Sequence, residues 1–382
     1  MYNPMKRGVR PLYAILLLMA MAATLTFKVL FHQNCSFQLG CEALSGENPR
    51  RPVFNETLLK HAAVDLNEPR LKREIDYLLE GNFRTHGRQS QRSFLSSGDP
   101  RVDLRNSHRL ARGPDFSERL LIFRKYLGDL FRKRGFSSDI MFELADEVKS
   151  LIGEHNGRYK SCAVVGNSGI LLKSDYGAKI DGHEAVIRLN NARTKTFEKN
   201  VGSKTNISFV NSNILHLCTR RVDCFCHPYG DNVPIVMYIC QPKHFWDYLA
   251  CNSSHKAPLI VTDPRFDVLC ARIAKYYSLK RFIEQTGKDV GEWAPAHDGA
   301  DFHYSSGMQA VMLALGICER VSIFGFGKSN SATHHYHTIQ KVELSLHDYE
   351  AEYDFYRDLV ERPWAIPFVS DKYEFPPVVM YH

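Results

Sequence analysis

Four histidines crowd the stretch "HHYHTIQKVELSLHDYEAE", residues 334 to 352: His334, His335, His337 and His347, with Glu352 five residues after the last. Imidazoles so placed can bind a metal, carry protons, or sit on a wet surface. Zinc would require His-Glu-x-x-His or a cysteine–histidine set at fixed spacing. His335 and His337 would share a face if they lay on a strand, but no third ligand accompanies them. Acid–base work needs less. A neutral ring takes a proton from a hydroxyl, and a charged one meets a phosphate, because the group titrates near neutrality. The chain has no Asp-x-Asp pair with which to hold a divalent metal on a diphosphate. If it transfers a group from a nucleotide, protein groups must stabilise the leaving phosphate. Two histidines can divide that labour, one for the phosphate and one for the acceptor, with no metal and no cofactor. For any single histidine, a solvated or core-satisfied ring is the plainer alternative.

Two further stretches could hold a ligand. In "CAVVGNSGILL" a buried strand, Cys162 to Val165, runs into Gly166-Asn167-Ser168-Gly169 and then a helix. Glycines let a backbone approach a nucleotide, and Asn and Ser offer hydrogen bonds at a helix start. The same four residues would also serve as a plain tight turn. The pattern is neither G-x-G-x-x-G nor a P-loop, which argues against a dehydrogenase or a kinase. In "FHYSSGMQAVMLALGICERVSIFGFG", Ser305, Ser306 and Gly307 open a helix whose first N–H groups suit a phosphate or carboxylate. Either serine could equally be an N-cap.

These residues need a scaffold. "CAVVG", "AVIRL", "NISFV", "PIVMYI", "PLIVT" and "VSIFGFG" read as short buried strands. "DVLCARIAKYYSLKRFIEQTG" and "SSGMQAVMLALGICE" read as helices between them. "PDFSERLLIFRKYLGDLFRKRG" has apolar residues at Leu120, Phe123, Leu127, Leu130 and Phe131, the spacing of an amphipathic helix. Strands alternating with helices predict an α/β layered sheet of Rossmann type, in which ligands bind at the carboxyl ends of the strands.

The 382 residues are 44 % hydrophobic and 12 % aromatic, which suits a packed body. The net charge of +7 is modest and partly local, so no nucleic-acid partner is expected. Lys6, Arg7 and Arg10 precede an apolar run that, with Lys28 snorkelling, reaches Phe31. This predicts a signal anchor with a cytosolic N-terminus and a lumenal body. The Ala20-Met21-Ala22 triplet offers a cleaved signal peptide as the rival. The expected organisation is a cytosolic tail at 1–10, a transmembrane helix at 11–31, a stem at 32–114 and one catalytic domain at 115–382. The stem rests on weak periodicity and on residues 83–114, where seven arginines face two aspartates among Ser, Gly and Pro. Binding to an acidic polysaccharide is the alternative role for that stretch. Ten cysteines fit an oxidising lumen. Cys218, Cys224, Cys226 and His227 come nearest a zinc pattern but read better as disulfide formers there. Sequons at Asn34, Asn55, Asn206 and Asn252 are glycosylation candidates, although Asn206 lies in an expected strand.

In order, residues 162–206, 303–327, "HHYH" and the pair His347 and Glu352 resemble the four motifs of the eukaryotic sialyltransferase family. The resemblance spans roughly residues 160 to 352. It implies a Golgi type II membrane glycosyltransferase with a variant GT-A fold, inverting and metal-independent. By position, Asn167, Ser168, Asn190, Ser306 and Gly307 would bind the donor nucleotide. His335 would meet the leaving phosphate, His347 would be the general base, and Cys162 would bridge to Cys318. The segment Asn191-Ala192-Arg193-Thr194, Tyr304 and the short spacing from His335 to His347 depart from the animal pattern. They resemble the plant sialyltransferase-like members, including those acting on arabinogalactan. This implies UDP-galactose as donor and β-1,6 transfer to an arabinogalactan glycan acceptor. A sialic acid or Kdo transferase using a CMP-sugar is the alternative. A non-catalytic Golgi scaffold for other Golgi glycosyltransferases is the second.

Overall fold

In a computed structural model, the structure describes residues 54–80, 116–152, 157–218, 228–247, 256–329, 331–338 and 346–382. All six expected strands form: β1 (Cys162–Val165), β2 (Ala185–Leu189), β3 (Ile207–Asn211), β4 (Ile235–Tyr238), β5 (Leu259–Val261) and β6 (Val321–Phe324). A seventh, β7 (Val378–Tyr381), was not expected. It follows Pro376-Pro377 and alternates little in hydrophobicity, as an edge strand can. All pairings are parallel, in the order β5-β4-β3-β2-β1-β6-β7. β1, β2 and β4 are buried along their whole length, which explains their unbroken apolar runs.

The longer helices are α1 (Glu56–Ala62), α2 (Glu68–Leu79), α3 (Phe116–Lys133), α4 (Ile140–Ile152), α5 (Pro264–Thr286), α6 (Ser306–Ile317) and α7 (Tyr349–Glu361). α5 begins before the expected Asp267 because Asp263 caps it, accepting from Arg265 N at 2.7 Å, and Pro264 takes the first helical position. α6 is apolar on every side and buried at every residue. It lies in the main core with β1, β2 and β3.

The expected stem is corrected in part. α1 and α2 lie inside 32–114, yet Leu58 and Ala62 join the main core beside α5, and Ile75 and Leu78 join a cluster with Phe123, Leu127 and Phe245. Residues 54–80 therefore belong to the body. The remaining stem, the membrane segment 11–31, Asn34, Asn252, Cys224, Cys226, His227 and Cys251 lie outside the described residues. Among the described residues, no helix is long and apolar enough to cross a membrane. Asn55 is exposed and caps α1. Asn206 instead accepts from Val186 N at 2.9 Å, so the sheet occupies its side chain.

From β1 the chain steps outward to β5, then returns to lay β6 on the other side of β1. That reversal opens a crevice beyond the ends of β1 and β6. Behind it, a disulfide joins Cys162 at the start of β1 to Cys318 at the end of α6, 156 residues apart and fully buried. Cys240 and Cys270 are thiols. Closing so long a loop can stabilise by about 4–5 kcal/mol. Non-reducing peptide mapping should recover Cys162 and Cys318 in one linked peptide, and Cys270 should alkylate only after unfolding. A free Cys318 thiol in the folded chain would contradict the bridge.

Candidate active site

The β1 and β6 ends come together so closely that a Cβ on Gly166 would sit 2.6 Å from the Gly325 carbonyl oxygen. Gly325 itself has φ +73°, a conformation glycine adopts readily. Gly166 and Gly325 both line a cavity at the switch point. The same cavity is lined by Asn167, Ser168, Asn190, Ser306, Gly307, His335 and His347, the whole set inferred for donor binding and catalysis.

Local bonds explain how each side chain arrives. Ser168 Oγ donates to Gly327 O at 2.7 Å and tethers the first loop to the end of β6. Tyr336 N donates to Asn167 O at 2.8 Å, and Gly169 N to Thr333 O at 3.0 Å, so the histidine loop is stitched to the glycine loop. The buried Tyr336 hydroxyl anchors it further, donating to Arg193 O at 2.7 Å. Residues 331–338 form no strand, so His335 and His337 do not share a strand face; their rings stack 5.6 Å apart. His334 lines the cavity and His337 does not. Asn167 Oδ1 is buried with no protein partner, an acceptor at the cavity wall.

Asn190 follows β2 in the left-handed conformation, φ 52°, which asparagine tolerates. Its Oδ1 accepts from Asn211 N at 3.2 Å, and Asn211 Nδ2 donates to Ser306 Oγ at 3.0 Å. Asn211 thus links three elements, yet sequence reasoning missed it. Its signal was its place at the carboxyl end of β3, matching that of Asn190 after β2.

Ser305, not Ser306, is the N-cap of α6, accepting from Met308 N at 3.1 Å. Glu352, buried in the first turn of α7, accepts from Ser305 N at 2.6 Å and from Ser305 Oγ and the Tyr356 hydroxyl. These bonds leave the N–H groups of Ser306 and Gly307, among the described residues, as unengaged donors at the positive end of α6. No lysine or arginine lines the cavity among those residues. Lys328, just past the end of β6, is paired with Glu350.

The two catalytic candidates differ in setting. His347 Nδ1 lies 2.6 Å from the His303 carbonyl oxygen. A carbonyl only accepts, so Nδ1 carries the proton and Nε2 is left as a proton acceptor. Burial, only partly opposed by that bond, pushes His347 down to about 4, which keeps it neutral. Burial and its neighbours His334 and His337 likewise push His335 down to about 4. The expectation of a charged ring for the phosphate is therefore corrected: near neutral pH the His335 ring is neutral, able to donate one hydrogen bond.

Sequence comparison now decides the lineage. Residues 131–363 match Glycosyltransferase family 29 (sialyltransferase). The chain is 52 % identical, over 99 % of its length and all of the relative's, to Beta-1,6-galactosyltransferase GALT29A of Arabidopsis thaliana. The chain belongs to glycosyltransferase family 29. It is also 47 % identical, over 99 % of its length and all of the relative's, to Sialyltransferase-like protein 1 of Oryza sativa subsp. indica. A solved mammalian sialyltransferase in complex with Gal-beta-1-3GalNAc-ortho-nitrophenol aligns over 68 % of this chain and 79 % of that one, at 22 % identity and a TM-score of 0.37. As a family 29 member, the protein is a glycosyltransferase, working with a nucleotide-sugar donor and a glycan acceptor.

Burial lifts Glu352 from its ordinary 4.5 to about 7, against the pull of the Ser305 and Tyr356 donors. The folded family 29 body thus binds this proton more tightly than the unfolded chain. The contribution is full below about pH 4.5 and is lost as the pH rises through about 7. Glu352→Gln should flatten the melting-temperature profile across that window, by the equivalent of up to about 3 kcal/mol. Identical profiles for the two proteins would show that Glu352 does not titrate there.

Proposed function

We propose that the protein is an inverting galactosyltransferase that moves galactose from UDP-galactose, in β-1,6 linkage, onto arabinogalactan glycans. The observation that carries this is the full-length likeness, at 52 % identity, to a protein named beta-1,6-galactosyltransferase. In this reading the body is a variant of the GT-A arrangement, held in the Golgi lumen as a type II membrane protein and N-glycosylated, with other Golgi glycosyltransferases as partners. The family's own description as sialyltransferase favours a CMP-sugar donor as the second reading.

The donor's nucleotide lies on Asn167, Ser168 and Asn190, with its phosphates toward the Ser306 and Gly307 N–H groups. His347 Nε2 takes the proton of the acceptor hydroxyl. The acceptor oxygen bonds to the anomeric carbon as the bond from that carbon to the phosphate oxygen breaks, and the electron pair leaves with UDP. Attack and departure occur on opposite faces of the sugar, so one group cannot serve both. His335 donates to the departing phosphate, and the negative charge gathering there raises its proton affinity as the reaction proceeds. Metal independence in this scheme rests on histidines and a helix terminus replacing an Asp-x-Asp pair.

Release of UDP from UDP-galactose, with linkage analysis of the product, tests the donor assignment. Turnover of CMP-sialic acid in its place would select the second reading. His347→Ala should lower transfer by about 10²–10⁴-fold with nucleotide binding nearly intact. His335→Ala should slow transfer and also weaken binding of the free nucleotide product. Near-normal turnover in His347→Ala would move the base assignment to His334. Transfer should survive EDTA; loss that manganese restores would show a metal-dependent route.

A further inference from the structure

A second, more open groove adjoins the first cavity and shares His347 and Asn211 with it. Its far wall is α2. That helix is amphipathic. Leu71, Ile75 and Leu78 hold it to the body beside Phe123 and Phe245. Arg70, Arg73, Glu74 and Tyr77, spaced i, i+3, i+4 and i+7, form its polar face along the groove. Arg70 pairs with Asp301, two residues before the His303 whose carbonyl holds His347. α2 is therefore fixed relative to the candidate base. Lys243, on the turn Pro242–His244 that packs against α2, faces the same groove.

We propose that this groove takes the acceptor as an extended oligosaccharide, with Arg73, Tyr77 and Lys243 selecting for chain length. A guanidinium presents a planar fork of donors that matches paired hydroxyls. A tyrosine offers an apolar face with a polar tip, suited to the two kinds of surface a sugar ring carries. Arg73 makes no ion pair among the described residues, and Tyr77 is 37 % exposed, so both can meet a ligand. The sugar bearing the attacking hydroxyl sits at the junction beside His347, and the sugars that follow it run toward α2. The proposal rests on reading the site as that of a glycan transferase. It deepens that reading by giving acceptor selection to a helix that lies in the segment expected as stem and packs onto the body.

The test is binding, which needs no turnover. Calorimetry with the full chain would compare β-1,6-linked galactose chains of two and four units. The four-unit chain should bind at least about tenfold more tightly, as each added contact of about 1.4 kcal/mol is worth a factor of ten. Arg73→Ala with Tyr77→Ala should reduce the four-unit chain to the affinity of the two-unit chain and leave nucleotide affinity unchanged. Lys243→Ala, on a separate element, should reduce it in part, and guards against a local effect on α2. Equal affinity for the two chains, no binding of either, or full length preference in the double variant would overturn the proposal. His347→Ala should keep the length preference. A failed base or donor assignment would thus be told apart from a failed acceptor groove.

Discussion

Where β1 and β6 leave the sheet, neither exit has room for a side chain. A Cβ at Gly166 would strike the Gly325 carbonyl, and one at Gly325 would lie 2.6 Å from the Leu171 side chain. Everything at the site depends on that approach. It lets Ser168 reach Gly327 and lets the histidine loop bond along the glycine loop. It also sets the crevice beside the first turn of α6. The same reversal of strand order that makes a Rossmann sheet bind ligands is here expressed as a glycine–carbonyl contact.

The electrostatics of the cavity follow from what the wall lacks. Among the described residues no lysine or arginine lines it; the positive end of α6 stands there beside two imidazoles that burial holds neutral. A neutral His347 with Nδ1 committed to a carbonyl is ready to accept a proton but not to repel an incoming group. A neutral His335 costs less to bury than a cation would. Glu352 completes the arrangement from behind. It occupies the Ser305 donors and leaves those of Ser306 and Gly307 unengaged among the described residues, which gives the buried carboxyl a positioning reason.

Much of this was legible in the chain. Six strands could be read because each is a short apolar run at least partly buried, and β7 could not because Pro376-Pro377 and a half-exposed edge blur its pattern. The seven site residues share one cavity because strand ends and a helix start must converge in a parallel sheet. Asn211, marked only by its place at the end of β3, was missed, and His303 was not legible. The roles their geometry gives them arise from neighbours dozens of residues away, and a main-chain carbonyl such as that of His303 leaves no mark on side-chain type. α2 was missed for a different reason. Its buried stripe is only a few residues wide, and its many charges, taken alone, read as a solvated spacer.

The packing of α1 and α2 bears on where the enzyme's body can be cut. A soluble fragment beginning at residue 115, the natural choice from charge and periodicity, would strip Leu58 and Ala62 from α5, and Ile75 and Leu78 from α3. It would bare apolar surface on two helices and remove the far wall of the second groove, leaving the cavity at the ends of β1 and β6 beside an aggregation-prone flank. A fragment that keeps residues 52 onward retains both helices. The compact body therefore begins inside what composition marks as a spacer, and two helices of that stretch are part of its core packing.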